Sequence, residues 1–79
     1  MKISISKHAW ARMKVYGFNK EVIFDAVKHP DEVVEGYAGR LVAHKSLDHF
    51  ILRVVYEKYG DKVVVVTVYP AERERYRGR

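Results

Sequence analysis

The sequence predicts an α+β fold: two N-terminal helices packed on one face of a four-stranded antiparallel meander sheet. Three observations predict it. Before His29-Pro30, apolar residues recur at helical spacing behind two N-cap residues. After it, they fall into extended, β-branched runs separated by glycine turns. The chain's 79 residues make a single domain near the lower end of what folds alone, which leaves room for a homodimer.

Lys2 to Ile5 is a short extended lead-in. Ser6 can accept a hydrogen bond from a free backbone N–H and so starts the first helix, whose apolar face is Ala9, Met13 and Tyr16 with Trp10 beside them. Gly17 suits a left-handed C-cap, with Phe18 as its hydrophobic contact. Asn19 caps a second helix through Val22, Ile23, Ala26 and Val27, which His29-Pro30 stops because proline disfavours helical geometry in the residue before it. The strands expected next are Glu32 to Tyr37 and Arg40 to Leu47 around an Ala38-Gly39 turn, then Phe50 to Tyr59, and then Lys62 to Tyr69 after a Gly60-Asp61 turn. The Val63 to Val68 run is apolar enough for a central strand, and Pro70 is expected to end it. Trp10, Phe18, Phe24 and Tyr37 are expected in the core. The far face of the sheet is left for a partner or substrate. Its composition depends on the last turn: two turn residues put Tyr56, Thr67 and Tyr69 on one side, and three put Arg53 with Thr67 and Tyr69.

No cysteine is present, which excludes disulfides, a thiol nucleophile and thiolate metal sites. The beginning of the chain has no run long enough for a signal peptide or membrane span, so a cytoplasmic protein is expected. Abundant Lys, Arg, Glu and Val with no glutamine match a bias of proteins from hot environments. The net charge of +5 fits either a polyanionic partner, nucleic acid first (RNA among them) and an acidic protein second, or a soluble surface that happens to be basic. The end of the chain, Glu72 to Arg79, is a basic tail that is either a solvated, partly mobile end or a segment whose Arg73, Arg75 and Arg77, together with Lys7 at the first helix start, contact phosphates. His8, His29, His44 and His49 show no metal-ligand spacing, although His44 and His49 straddle the turn expected at Leu47-Asp48; no metal or other cofactor is expected.

Ser6-Lys7-His8-Ala9-Trp10-Ala11-Arg12-Met13, Gly17-Phe18-Asn19, His29-Pro30, Val54-Val55-Tyr56 and Val65-Val66-Thr67-Val68-Tyr69-Pro70 together resemble the family called domain of unknown function 4258. Tyr16 departs from that pattern, where an arginine is more usual before the glycine. The order of helices and antiparallel sheet is similar to BrnT- and RelE-type toxins, which are ribonucleases that work without a metal, and whose likeness implies an acidic antitoxin-like partner.

Such chemistry needs a base for the ribose 2′-hydroxyl, an acid for the leaving oxygen and a cation for the phosphate. His8 fits the first task, since the positive end of the helix dipole and nearby Arg12 both oppose a charged imidazolium. Arg12 fits the cation role through its planar fork. Arg53, Tyr56, Thr67 and Tyr69 are candidates for orienting substrate or donating the proton, with Arg53 and Tyr69 completing the catalytic set of His8 and Arg12. The alternative is a non-catalytic binding module for nucleic acid or an acidic protein. There His8 ties the first helix to the sheet and Arg12 pairs with an acid such as Asp25 or Glu35.

Overall fold

The computed structural model describes residues 1–73. It contains β1 (Lys2–Ile5), α1 (Lys7–Tyr16), α2 (Lys20–Lys28), β2 (Glu32–Glu35), β3 (Leu41–Ser46), β4 (Phe50–Tyr59) and β5 (Lys62–Glu72). The α+β class and the N-terminal helices agree with expectation. The four-stranded antiparallel meander does not: the sheet has five strands in the order β1-β5-β4-β3-β2, and β1 runs parallel to β5. The lead-in is therefore an edge strand, pairing Lys2 with Lys62 and Ile5 with Val65. The physical reason lies in β5 itself. The last strand of a meander is an edge, whereas so apolar a run needs neighbours on both sides, and β1 supplies the second one.

Both helices form where their caps predict. Ser6 Oγ accepts from Ala9 N–H at 3.1 Å and Asn19 Oδ1 from Val22 N–H at 3.0 Å. Gly17 ends α1 at φ 77°, a conformation glycine adopts without steric cost, and Phe18 N–H closes the turn on Met13 O at 2.9 Å. Ala9 and Met13 of α1 and Ile23, Ala26 and Val27 of α2 pack on Ala43, Leu52, Val54, Tyr56, Val63, Val65 and Val68. Trp10 and Tyr37 are not in this core; they are 44% and 90% exposed. Trp10 sits on the flank of the apolar stripe. Tyr37 begins a 3₁₀ turn, Tyr37–Gly39, that shortens β2 and β3 and holds Ala38 at φ 60°.

β5 also continues through Pro70 to Glu72. Because β1 stops opposite Val65, the upper part of β5 is an edge, where a residue without an N–H is accommodated.

The turn at Gly60-Asp61 has two residues, pairing Tyr59 with Lys62, yet the faces do not follow the two-residue expectation. A bulge intervenes. Tyr56 pairs with Val65 and Val55 with Thr67, which leaves Val66 as an extra residue without a partner on β4. Beyond it the alternation of β5 is reversed, so Arg53, Thr67 and Tyr69 share the face away from the helices and Tyr56 belongs to the core. Burial accordingly raises the Tyr56 hydroxyl pKa, and this residue is not part of the site.

Candidate functional site

Ser6 is the joint of the site. Its hydroxyl caps α1 and donates to Val66 O at 3.0 Å, satisfying a carbonyl that the bulge leaves out of the β4–β5 ladder. Its backbone N–H donates to Val65 O at 3.0 Å. Helix start and bulge are thereby locked together. His8, two residues after Ser6, then meets Thr67, one residue after Val66, with Nε2 3.1 Å from Oγ1.

From Thr67 the face continues to Tyr69 and across the sheet. Tyr69 pairs with Arg53, Arg53 with His44 and His44 with Glu32, a row in register over four strands. The side chains repeat the row. Arg53 Nη1–H donates to Tyr69 Oη, with the guanidinium carbon 5.3 Å from the ring centroid. Arg53 Nε–H donates to His44 Nε2 at 3.0 Å. A guanidinium N–H can only donate, so Nε2 is the acceptor and Nδ1 carries the proton of a neutral ring. That nitrogen lies 3.4 Å from Glu32 Oε1. His44 is 5% exposed although it points away from the helices, as do the buried Val42 and Ile51. The β2–β3 loop closes over Val42: a Cβ on Gly36 would stand 3.0 Å from Val42 Cγ2.

Of the residues expected in a site, His8, Thr67, Tyr69 and Arg53 come together. Among the described residues Arg12 makes no hydrogen bond or ion pair with them. Its guanidinium donates to Tyr16 Oη at 2.7 Å and lies 5.1 Å from that ring's centroid, so the tyrosine that departs from the family pattern is its partner, rather than Asp25 or Glu35. Lys7 is exposed at the start of α1. Arg73 donates to Leu47 O and Asp48 O and is tied to the β3–β4 loop, while Arg75 and Arg77 lie outside the described residues. No group of three His, Asp or Glu side chains that could hold a metal ion occurs among the described residues.

His44 and Glu32 were absent from the candidates. The signal for them was the β3–β4 register, since a turn centred between Asp48 and His49 puts His44 opposite Arg53. Placing the turn at Leu47-Asp48 misses that pair.

At the other end of β4 the same face carries a second cluster. Tyr59 Oη–H donates to Glu57 Oε1 at 2.6 Å and Arg40 Nε–H to Oε2 at 2.9 Å. The hydrogen bond from Tyr59 first, and that from Arg40 next, hold the Glu57 carboxyl below its ordinary range. A depressed folded-state value contributes stability that is present above the unfolded carboxylate pKa and is lost as pH falls through the folded one. Glu57→Gln is expected to flatten that part of the acid-unfolding curve measured by circular dichroism and to lower neutral-pH stability slightly, since the carboxylate lies near the surface at 31% exposure, where such pairs contribute little.

No helix among the described residues is long and apolar enough to cross a membrane. No curated protein and no solved structure matches the chain, so the likeness to BrnT- and RelE-type toxins has no structural neighbour behind it. Residues 5–70, which include both segments that meet at Ser6 and Val66, match the family described as Domain of unknown function (DUF4258), and the chain belongs to that family.

Proposed function

We propose that the chain binds RNA on the sheet face opposite its helices and cleaves it without a metal, as a toxin-type ribonuclease. The observation that carries this reading is the reversal at Val66, which gathers Arg53, Thr67 and Tyr69 on one face with His8 hydrogen-bonded at its rim. His8 Nε2 takes the proton of the ribose 2′-hydroxyl, and the 2′-oxygen attacks phosphorus. The bond to the 5′-oxygen breaks, and Tyr69 returns a proton to it. Arg53 stabilises the charge on the phosphoryl oxygens, a task its planar fork suits. The products are a 2′,3′-cyclic phosphate and a 5′-hydroxyl. The net charge of +5 favours the polyanion and also an acidic antitoxin-like protein that covers the same face.

One observation favours the second reading, a binding surface without catalysis. Arg53 is held by both His44 and Tyr69, which suits a fixed cation for a phosphate or carboxylate. The two readings separate when RNA is incubated with the protein and excess chelator and the new ends are analysed. The ribonuclease reading expects cyclic phosphate ends and a loss of about 100-fold or more in His8→Ala with an unchanged circular dichroism spectrum, the usual weight of one general base. Wild-type protein that binds RNA and leaves it intact sinks the enzyme and keeps the binding module.

A further inference from the structure

We propose that Glu32 and His44 are a positioning pair that fixes the orientation of Arg53, and through it Tyr69, for contact with a phosphate diester. The proposal rests on the RNA reading for the identity of the ligand and on the cross-strand row for everything else.

An arginine side chain has many rotamers, and confining it to one geometry costs conformational entropy. On this sheet face that cost is met by a partner that is itself fixed. His44 is such a partner, being buried and held on β3 between β2 and β4. It serves only in one form. Protonated on Nε2, the ring would present a donor to the Arg53 Nε–H and repel it; protonated on Nδ1 alone, it presents a lone pair. Glu32 Oε1 beside Nδ1 selects that second form, as carboxylates select the tautomer of an imidazole in many sites. The order of action along the row is therefore Glu32 setting the His44 proton, His44 setting the Arg53 plane, and Arg53 setting the Tyr69 hydroxyl. Neither Glu32 nor His44 touches substrate in this arrangement.

The position of Glu32 fits a tuning role. Its side chain is 56% exposed on the edge strand β2, whereas that of His44 is 6% exposed, so the carboxylate can be altered with little disturbance of the fold. The buried imidazole is the less replaceable member.

The test has two arms on the full chain. The first reads the imidazole nitrogens by ¹⁵N NMR without RNA at neutral pH. The expected spectrum shows His44 protonated on Nδ1 with an unprotonated Nε2, and a mixed tautomer in Glu32→Ala. A His44 ring protonated on Nε2 in wild type overturns the proposal. The second arm is cleavage of an RNA oligomer in chelator. His44→Leu is expected to lower kcat by about tenfold or more, the weight of one hydrogen bond to a charged group, and His44→Gln to restore most of it by offering Arg53 an amide oxygen. Equal cleavage by His44→Leu and wild type overturns the proposal, as does a failure of His44→Gln to recover. Should His44→Leu not fold, Glu32→Ala takes its place, with a smaller loss expected and wild-type rates contradicting the pair. Absence of cleavage by wild type sinks the ribonuclease reading alone, because the first arm is read without RNA and decides the positioning pair by itself.

Discussion

Deletion of Val66 is expected to leave both sheet faces in place, because the residue removed is the one without a partner on β4: Tyr56 still pairs with Val65, Val55 with Thr67 and Val54 with Val68. What the deletion removes is the anchor of the helix start, since the Ser6 hydroxyl loses the Val66 carbonyl to which it donates. The expected cost is about 1–3 kcal/mol, a large share of the ~5–15 kcal/mol that holds a small domain together. Urea unfolding followed by circular dichroism checks it. Val66→Ala keeps the extra residue and its carbonyl and is expected to be the more stable of the two variants. A deletion variant that no longer unfolds cooperatively would mean that Val66 is not the extra residue of the bulge.

Replacing Arg53 by alanine is expected to lower RNA cleavage by about 10²–10³-fold, the usual weight of one preorganised donor to developing negative charge. Arg12→Ala should cost at least tenfold less, because that guanidinium is engaged with Tyr16 on its own helix and is not part of the cross-strand row. Arg53→Lys should fall between them, since it retains the charge but cannot engage a phosphate, His44 and Tyr69 with one planar group. The alanine variant also removes the Arg53 hydrogen bond to Nε2 of the buried His44, a cost of about 1–3 kcal/mol. Rates are therefore compared at a temperature where both proteins are folded. Initial rates on a fluorescent oligomer separate the variants; equal losses for Arg12→Ala and Arg53→Ala would move the cation role back to α1.

The sequence carried the local structure well. Ser6, Gly17, Asn19 and Pro30 act through their own backbone chemistry, so both helices begin and end where those residues stand. Registers across the sheet are a different kind of information. Nothing in Val63-Val64-Val65-Val66 distinguishes the residue that will be extra, because all four are valine and each fits a strand equally. The bulge is selected by tertiary contacts, namely the Ser6 hydroxyl that satisfies the Val66 carbonyl and the opposing pattern of Arg53 to Tyr56. The five-stranded sheet was hidden for a similar reason. A four-residue lead-in carries too little periodicity to declare itself a strand, and only the need of β5 for a second neighbour points to it.

His8 and Thr67 were visible as residues but not as a pair. Their meeting depends on two distant segments that join at the bulge, Ser6-Lys7-His8 and Val66-Thr67. Arg12 stood out in the sequence because it lies one turn from His8. The structure gives it to Tyr16, and Arg53 occupies the place in the polar row.

We propose the face built by the Val66 bulge, with His8 at its rim, as the RNA surface. Its most direct test is chemical-shift mapping of the ¹⁵N-labelled chain during titration with an RNA oligomer whose 2′-hydroxyls are replaced by hydrogen, so that it binds and is not cleaved. Saturable shifts centred on His8, His44, Arg53, Thr67 and Tyr69 are the predicted result. Shifts confined to α2 and the Tyr37–Gly39 turn, or none at concentrations where intact RNA is cleaved, would contradict it.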